Sequence, residues 1–134
     1  MGKSKNQHKN KTNHNDSSEL EKSKAYIILE IIQYIPNAVV SKTIIRKTTG
    51  NITAMSFAEG EQLEEKTSPF DTFVQIIDGS AEVIVNNEKH KLKSGEGFII
   101  PAHQTHCFKA YEEFKMILTI IKSGYDDTPL YAAS

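Results

Sequence analysis

The sequence has a single cysteine, Cys107, so no disulfide can form within one chain. Disulfides are the usual support of small secreted domains, and the lack of any pair predicts a reducing, cytoplasmic setting. An excess of charge is missing as well, because 16 basic and 17 acidic residues leave a formal net charge of −1. A chain this close to neutrality has no overall field that would attract nucleic acid or an anionic membrane, and we expect neither as a partner.

Long apolar runs are also absent. The longest apolar cluster, residues 25–35, is interrupted by Glu30, Gln33 and Tyr34 and is too short and too polar to span a bilayer. No apolar stretch follows the first lysines, so we expect no secretory signal. What is present is a chain of 134 residues with 38% hydrophobic and 25% charged residues, which suits one domain with a modest core.

The first 24 residues differ in composition from the rest. They contain six lysines against Asp16, Glu19 and Glu21 and almost nothing apolar. Such a segment buries too little surface to offset the entropy lost on ordering. We therefore expect a disordered leader over residues 1–24, a folded domain over residues 25–123 and a loose tail over residues 124–134.

Residues 20–35 fit two descriptions. The spacing of Ile27, Ile28, Ile31 and Ile32 is typical of one face of a helix. The large apolar residues 26–29 are equally suited to a strand. Pro36 ends either element.

Beyond Pro36 the hydrophobic pattern has a period of two, which predicts strands. Turn residues separate the runs, including the pairs at 78–79 and 86–87, where a tight turn needs positive φ. Short strands with no helices between them are typical of an antiparallel sandwich or barrel. The predicted strands are Val39–Lys47, Ile52–Phe57, Thr72–Ile77, Ala81–Val85, Lys89–Leu92, Gly97–Ile100, His106–Ala110 and Phe114–Ile121.

Two spacings in this region resemble the sequence motifs of the cupin superfamily. The first motif, G-x5-H-x-H-x3,4-E-x6-G, matches in its end positions, Gly60 and Gly79. The second, G-x5-P-x-G-x2-H-x3-N, matches at Gly95, Pro101 and His106. The resemblance implies an all-β, antiparallel double-stranded β-helix, or jelly-roll, barrel. It agrees with the strand spacing found independently.

In the family these motifs supply three His and one Glu to a metal ion. Here Lys66 and Ser68 occupy the positions of the first two histidines, Thr72 that of the Glu, and His106 that of the third histidine, while His103 replaces a motif glycine. A transition metal requires three or four N, O or S donors, and an ammonium repels it. We therefore expect no tightly bound metal, and if one binds, its ligands are His106 and His103.

The alternation of side chains between the two faces of each strand predicts which residues line a pocket. Alternate side chains of a strand share a face, so Lys66 and the even-numbered residues after it point inward together, with His106 and Phe108 in the facing row. Lys66 and His106 then suit an anionic group such as a carboxylate. The predicted pocket residues are Lys66, Ser68, Phe70, Thr72, Val74, Ile76, His106 and Phe108.

Two functions follow from these observations. The first is a small-molecule-binding protein without a tight metal site. The alternative, implied by the family, is a metal-dependent enzyme of dioxygenase, isomerase or decarboxylase type that uses His106 with non-standard ligands. No catalytic residue can be assigned on either reading. The resemblance also implies a homodimer, and we favour a strand at residues 26–35 that forms a sheet edge completed by the partner.

Overall fold

The structure is a computed structural model that describes residues 13–125. Within this range the chain forms nine strands and one short 3-10 helix, Ile28–Glu30. The strands are β1 (Asn13–Asp16), β2 (Val39–Lys47), β3 (Gly50–Phe57), β4 (Gln62–Thr67), β5 (Asp71–Val85), β6 (Glu88–Lys93), β7 (Gly97–Ile100), β8 (Thr105–Lys109) and β9 (Phe114–Ile121). No helix among the described residues has the length and apolar character needed to cross a bilayer.

The strands form one curled sheet in the order β1-β2-β3-β9-β5-β8-β4, with β6 and β7 also paired to β5. All pairings are antiparallel except that of β1 with β2. This curled, nearly all-strand sheet is the predicted cupin barrel. We call the half built from β2, β3, β9, β7 and the start of β5 the first half. The half built from β4, β8, β6 and the end of β5 is the second half.

The long strand β5 joins the two halves. Its register with β9 shifts between Ile76 and Asp78, which marks a bulge, and Gly79 follows with φ of 72°. A Cβ on Gly79 would lie 2.1 Å from the carbonyl oxygen of Glu113, so only glycine fits this bend. The sequence predicted a turn between two strands here. The structure instead bends one strand from the first half into the second.

The remaining strand predictions agree with the structure to within one or two residues at the ends, and β4 was missed. Glu64, Glu65 and Lys66 are exposed in β4, so this edge strand lacks the apolar alternation that signals a strand. The turn between β5 and β6 is as predicted, since Asn86 and Asn87 have φ of 50° and 68°.

The segment before β2 corrects the prediction for residues 20–35. Apart from the 3-10 helix it has no regular structure, and residues 27–38, which we call the cover segment, pack on the outside of the first half. The ammonium of Lys115 donates to the carbonyl of Leu29 at 2.6 Å, and the hydroxyl of Tyr34 donates to Asp78 at 2.7 Å. These long-range contacts, rather than local periodicity, fix the segment.

The predicted disordered leader also differs from the structure where the two can be compared. Residues 1–12 lie outside the described residues, whereas Asn13–Asp16 pair with β2. The Asp16 carboxylate accepts hydrogen bonds from Ser18 and, at 3.0 Å, from Lys42, which lower its pKa to about 2. Pairing of polar groups with the β2 edge orders this stretch, and a composition argument that counts apolar burial alone does not detect it.

Of the predicted tail, Gly124 and Tyr125 belong to the described residues and 126–134 do not. The Tyr125 ring lies 5.9 Å from that of Phe70, and its hydroxyl accepts from the backbone N–H of Asp71 at 2.6 Å. The chain is therefore tied to the loop between β4 and β5 at this point.

Candidate ligand cavity

A cavity of about 1290 Å³ lies inside the curl of the sheet. Strands β2, β3, β5 and β9 form one wall and strands β4 and β8 the other. The lining residues are Asn15, Val39, Ser41, Thr53, Met55, Gly60, Glu61, Gln62, Leu63, Glu64, Lys66, Ser68, Phe70, Thr72, His106, Cys107, Phe108, Leu118, Ile120 and Lys122.

A gradient of side-chain size creates this space. Inward-facing residues of β3 and β9 lie in pairs across the sheet, residues of β5 complete the rows, and the volumes of the β3–β9 pairs fall from one end of the barrel to the other. The first row pairs Phe57 with Phe114, at ring centroids 4.5 Å apart, and we call this the closed end. Two intermediate rows follow, and the last, at the open end, pairs Thr72 with Ile120. The intermediate rows are Met55–Met116–Ile76 and Thr53–Leu118–Val74.

Six of the eight predicted pocket residues lie on the cavity wall: Lys66, Ser68, Phe70, Thr72, His106 and Phe108. The other two, Val74 and Ile76, do not. They share the inward face, but at 0% and 1% exposure they are packed in the hydrophobic core. Alternation along a strand shows which face a side chain occupies but not how deeply it is buried, which explains the difference.

Several wall residues were missed by the sequence argument. Leu118, Ile120 and Lys122 come from β9 and its end, and Thr53 and Met55 from β3. Their alternation was visible in the sequence. Their place on the same wall as Thr72 depends on β9 pairing with both β3 and β5, and no local sequence signal predicts that arrangement.

His106 lies beside Lys66, because the two are direct partners in the pairing of the neighbouring strands β4 and β8. Its Nδ1 lies 3.3 Å from the carbonyl oxygen of Gln104, and its ring meets Phe108 edge-on at 6.0 Å. A carbonyl oxygen only accepts, so this contact is a hydrogen bond in the tautomer that carries the proton on Nδ1. The neutral imidazole then presents the Nε2 lone pair as an acceptor.

Two ammonium groups border the open end. Lys66 lies on β4, and Lys122 directly follows β9 with its Nζ 6.0 Å from the Phe70 ring centroid. Neither belongs to an ion pair among residues 13–125, unlike Lys42, which lies 3.0 Å from Asp16.

Two hydroxyl groups accompany them. The Ser68 Oγ accepts the backbone N–H of Phe70 at 3.2 Å, which leaves its own proton free to donate. Thr72 is only 6% exposed and lines the cavity.

The donor set does not fit a tightly bound transition metal. No group of three His, Cys, Asp or Glu side chains among the described residues is placed to hold a metal ion. His103, the second predicted ligand, is an exposed turn residue with φ of 68° and does not line the cavity. Burial raises the pKa of the Cys107 thiol, which favours the protonated form over the thiolate that metals bind. Asp71 accepts the N–H of Ala102 at 2.8 Å instead of facing the cavity.

Residues 53–122 match the model of the cupin domain family, and the chain belongs to that family. A conserved protein of unknown function from Streptococcus pyogenes is 25% identical, with a TM-score of 0.75 over 79% of this chain and 93% of that one. A cupin superfamily protein from Desulfitobacterium hafniense is also 25% identical, with a TM-score of 0.73 over 78% and 95%. A cupin 2 conserved barrel domain protein from Leptotrichia buccalis is 33% identical, with a TM-score of 0.68 over 70% and 46%. No curated protein matches the sequence.

Proposed function

We propose that this protein binds a small organic molecule in the barrel cavity without the aid of a tightly held metal ion. The observation that carries the proposal is the cavity itself, at about 1290 Å³. Sites for small molecules are typically ~300–1,000 Å³, mostly apolar, with a few polar groups that fix orientation, and this cavity is larger than that range. The wall has that character, since Met55, Leu118 and Ile120 provide an apolar surface beside a few polar side chains.

The polar groups are suited to binding rather than to chelation. His106 offers one nitrogen acceptor, Ser68 and Thr72 offer hydroxyls, and Lys66 offers a cation at a position where the family has a histidine. One imidazole among hydroxyls and an ammonium supplies too few donors for a fixed metal geometry. The reducing, cytoplasmic setting inferred from the single cysteine is part of the same proposal.

A fluorescent probe and a metal analysis test the proposal together. The neutral dye N-phenyl-1-naphthylamine fluoresces when it enters an apolar site, and we expect saturable binding of one dye per chain. We also expect protein purified without a histidine tag to contain well under one metal ion per chain by mass spectrometry. A stoichiometric ion that resists chelators would contradict the second half of the proposal.

Two neighbouring residues provide a matched pair for the dye experiment. Ile120 lines the cavity, whereas Ile121 points to the other side of the same strand and is 53% exposed. Ile120→Trp places an indole in the cavity and should reduce dye binding strongly, and Ile121→Trp should leave it unchanged. Equal dye binding by both variants would show that the dye lies elsewhere, and the cavity would lose its assigned role.

A further inference from the structure

We propose that the ligand of the cavity is an organic anion, with its charged group between Lys66 and Lys122 and its apolar body on Met55, Leu118 and Phe108. This inference rests on the proposed function and adds the chemical class of the ligand.

The two lysines reach the same end of the cavity from different walls. Lys66 precedes the loop that joins β4 to β5, and Phe70 in that loop lies under the ammonium of Lys122. Lys122 follows Ile120 and Ile121, the partners of Thr72 and Asp71 at the start of β5. Both cations therefore border the open end, beside Thr72.

Neither lysine is neutralised by the chain as described. Glu59, Glu61, Glu64 and Glu65 are near in sequence, yet among residues 13–125 no carboxylate lies within ion-pair distance of Lys66 or Lys122. Two like charges at one mouth repel each other, and an anion between them removes that repulsion. The free hydroxyl proton of Ser68 adds a donor for the same anion.

The acidic wall residues lie further along β4. The N–H of Gly60 donates to the carbonyl of Ala110, and Gln62 pairs with Lys109, so Glu61 lies at the opposite end of β4 from Lys66. Glu64, two residues before Lys66, lies where the β4–β8 register shifts, and among residues 13–125 it forms no ion pair with Lys66. Two lysines therefore border the open end, whereas of the two acidic wall residues Glu61 lies at the opposite end of β4 and Glu64 lies within β4. A cationic headgroup at the open end is disfavoured.

Three ligands with the same ten-carbon chain test the inference: decanoate, 1-decanol and decylamine, each titrated against bound N-phenyl-1-naphthylamine. We expect decanoate to displace the dye at a concentration at least tenfold lower than 1-decanol, and decylamine to be the weakest. Lys66→Met and Lys122→Met should each weaken decanoate about fivefold, the size expected of a partly exposed charge contact, and leave 1-decanol unchanged. The preference should shrink as salt is added.

Lys89→Met is the matched control, because Lys89 is exposed on the β5–β6 hairpin and remote from the cavity. Equal displacement by decanoate and 1-decanol, or a preference for decylamine, overturns the anion inference and leaves the proposed function intact. Failure of the dye itself to bind removes the proposed function and this inference together. Equal weakening by Lys89→Met would show that decanoate responds only to net charge, which also overturns it.

Discussion

The closed and open ends of the barrel are built from the same three strands and differ mainly in what fills them. At the closed end Phe57 and Phe114 are fully buried and stacked. At the open end Thr72 and Ile120 leave a cavity between the two halves of the sheet. The strand pattern that makes the barrel is therefore independent of whether its interior is a core or a binding space, and side-chain volume decides which it becomes.

The largest effect on the free energy of unfolding should come from removing a ring from the closed end. Phe114→Ala removes a fully buried ring that stacks on Phe57, and we expect the free energy of unfolding to fall by about 3–5 kcal/mol. Ile120→Ala at the open end should cost much less, because that side chain already borders empty space. Urea denaturation of both variants measures the difference. Similar losses at the two ends would contradict the division between core and cavity.

A smaller effect should come from the cover segment at the outer side of the closed end. Lys115 is 7% exposed, donates to the Leu29 carbonyl and lies 5.0 Å from the ring centroid of Tyr34. Lys115→Met keeps most of the apolar stem and loses the hydrogen bond, so we expect a loss of about 1.5–3 kcal/mol, measured by urea denaturation. Lys89→Met, on the exposed hairpin, should change stability by less than about 0.5 kcal/mol. An unchanged Lys115→Met protein would mean that the cover segment is fixed without this contact.

Ionisation of the Tyr34 hydroxyl in the cover segment should make the stability of the protein depend on pH. Burial, followed by the hydrogen bond to Asp78, raises the pKa of its hydroxyl well above the ordinary value. The folded protein then keeps this proton to higher pH than the unfolded chain, whose tyrosines ionise near pH ~10. The stabilisation is present below that pH and is lost as the pH rises above it. Tyr34→Phe should lose stability less steeply than wild type above pH ~10 in urea denaturation at several pH values. Parallel curves would contradict the assignment.

The fold and the candidate site differ in how far the sequence could predict them. Gly60, Gly79, Gly95, Pro101 and His106 have the family spacing, and alternation in β2, β7 and β9 marks those strands, so the barrel was predictable. These signals are local. They record which face a residue occupies and where the chain turns.

What was not predictable depends on contacts distant in sequence. The cover segment is fixed by Lys115, 86 residues from Leu29, and its isoleucines suit helix and strand equally. Val74 and Thr72 have the same parity, and only the folded structure shows that Val74 is fully buried in the core whereas Thr72 lines the cavity. The second lysine of the anion site, Lys122, is 56 positions from Lys66, and no motif links the two.

The smallest expected effect tests the difference between the two ends most directly, because the substitution fills part of the open end with an apolar side chain, as at the closed end. Thr53 lies one row beyond Met55 and faces the cavity opposite Leu118. Thr53→Leu continues the apolar filling, and we expect stability to rise by about 0.5–1 kcal/mol as empty volume is removed. The same change should weaken binding of N-phenyl-1-naphthylamine, because the dye and the new side chain compete for space. Thr48→Leu, in the exposed β2–β3 turn, controls for added hydrophobicity and should do neither. Unchanged dye binding by Thr53→Leu would show that the ligand does not occupy the space beside Thr53. A loss of stability in the same variant would show that the polar side chain of Thr53 stabilises the fold.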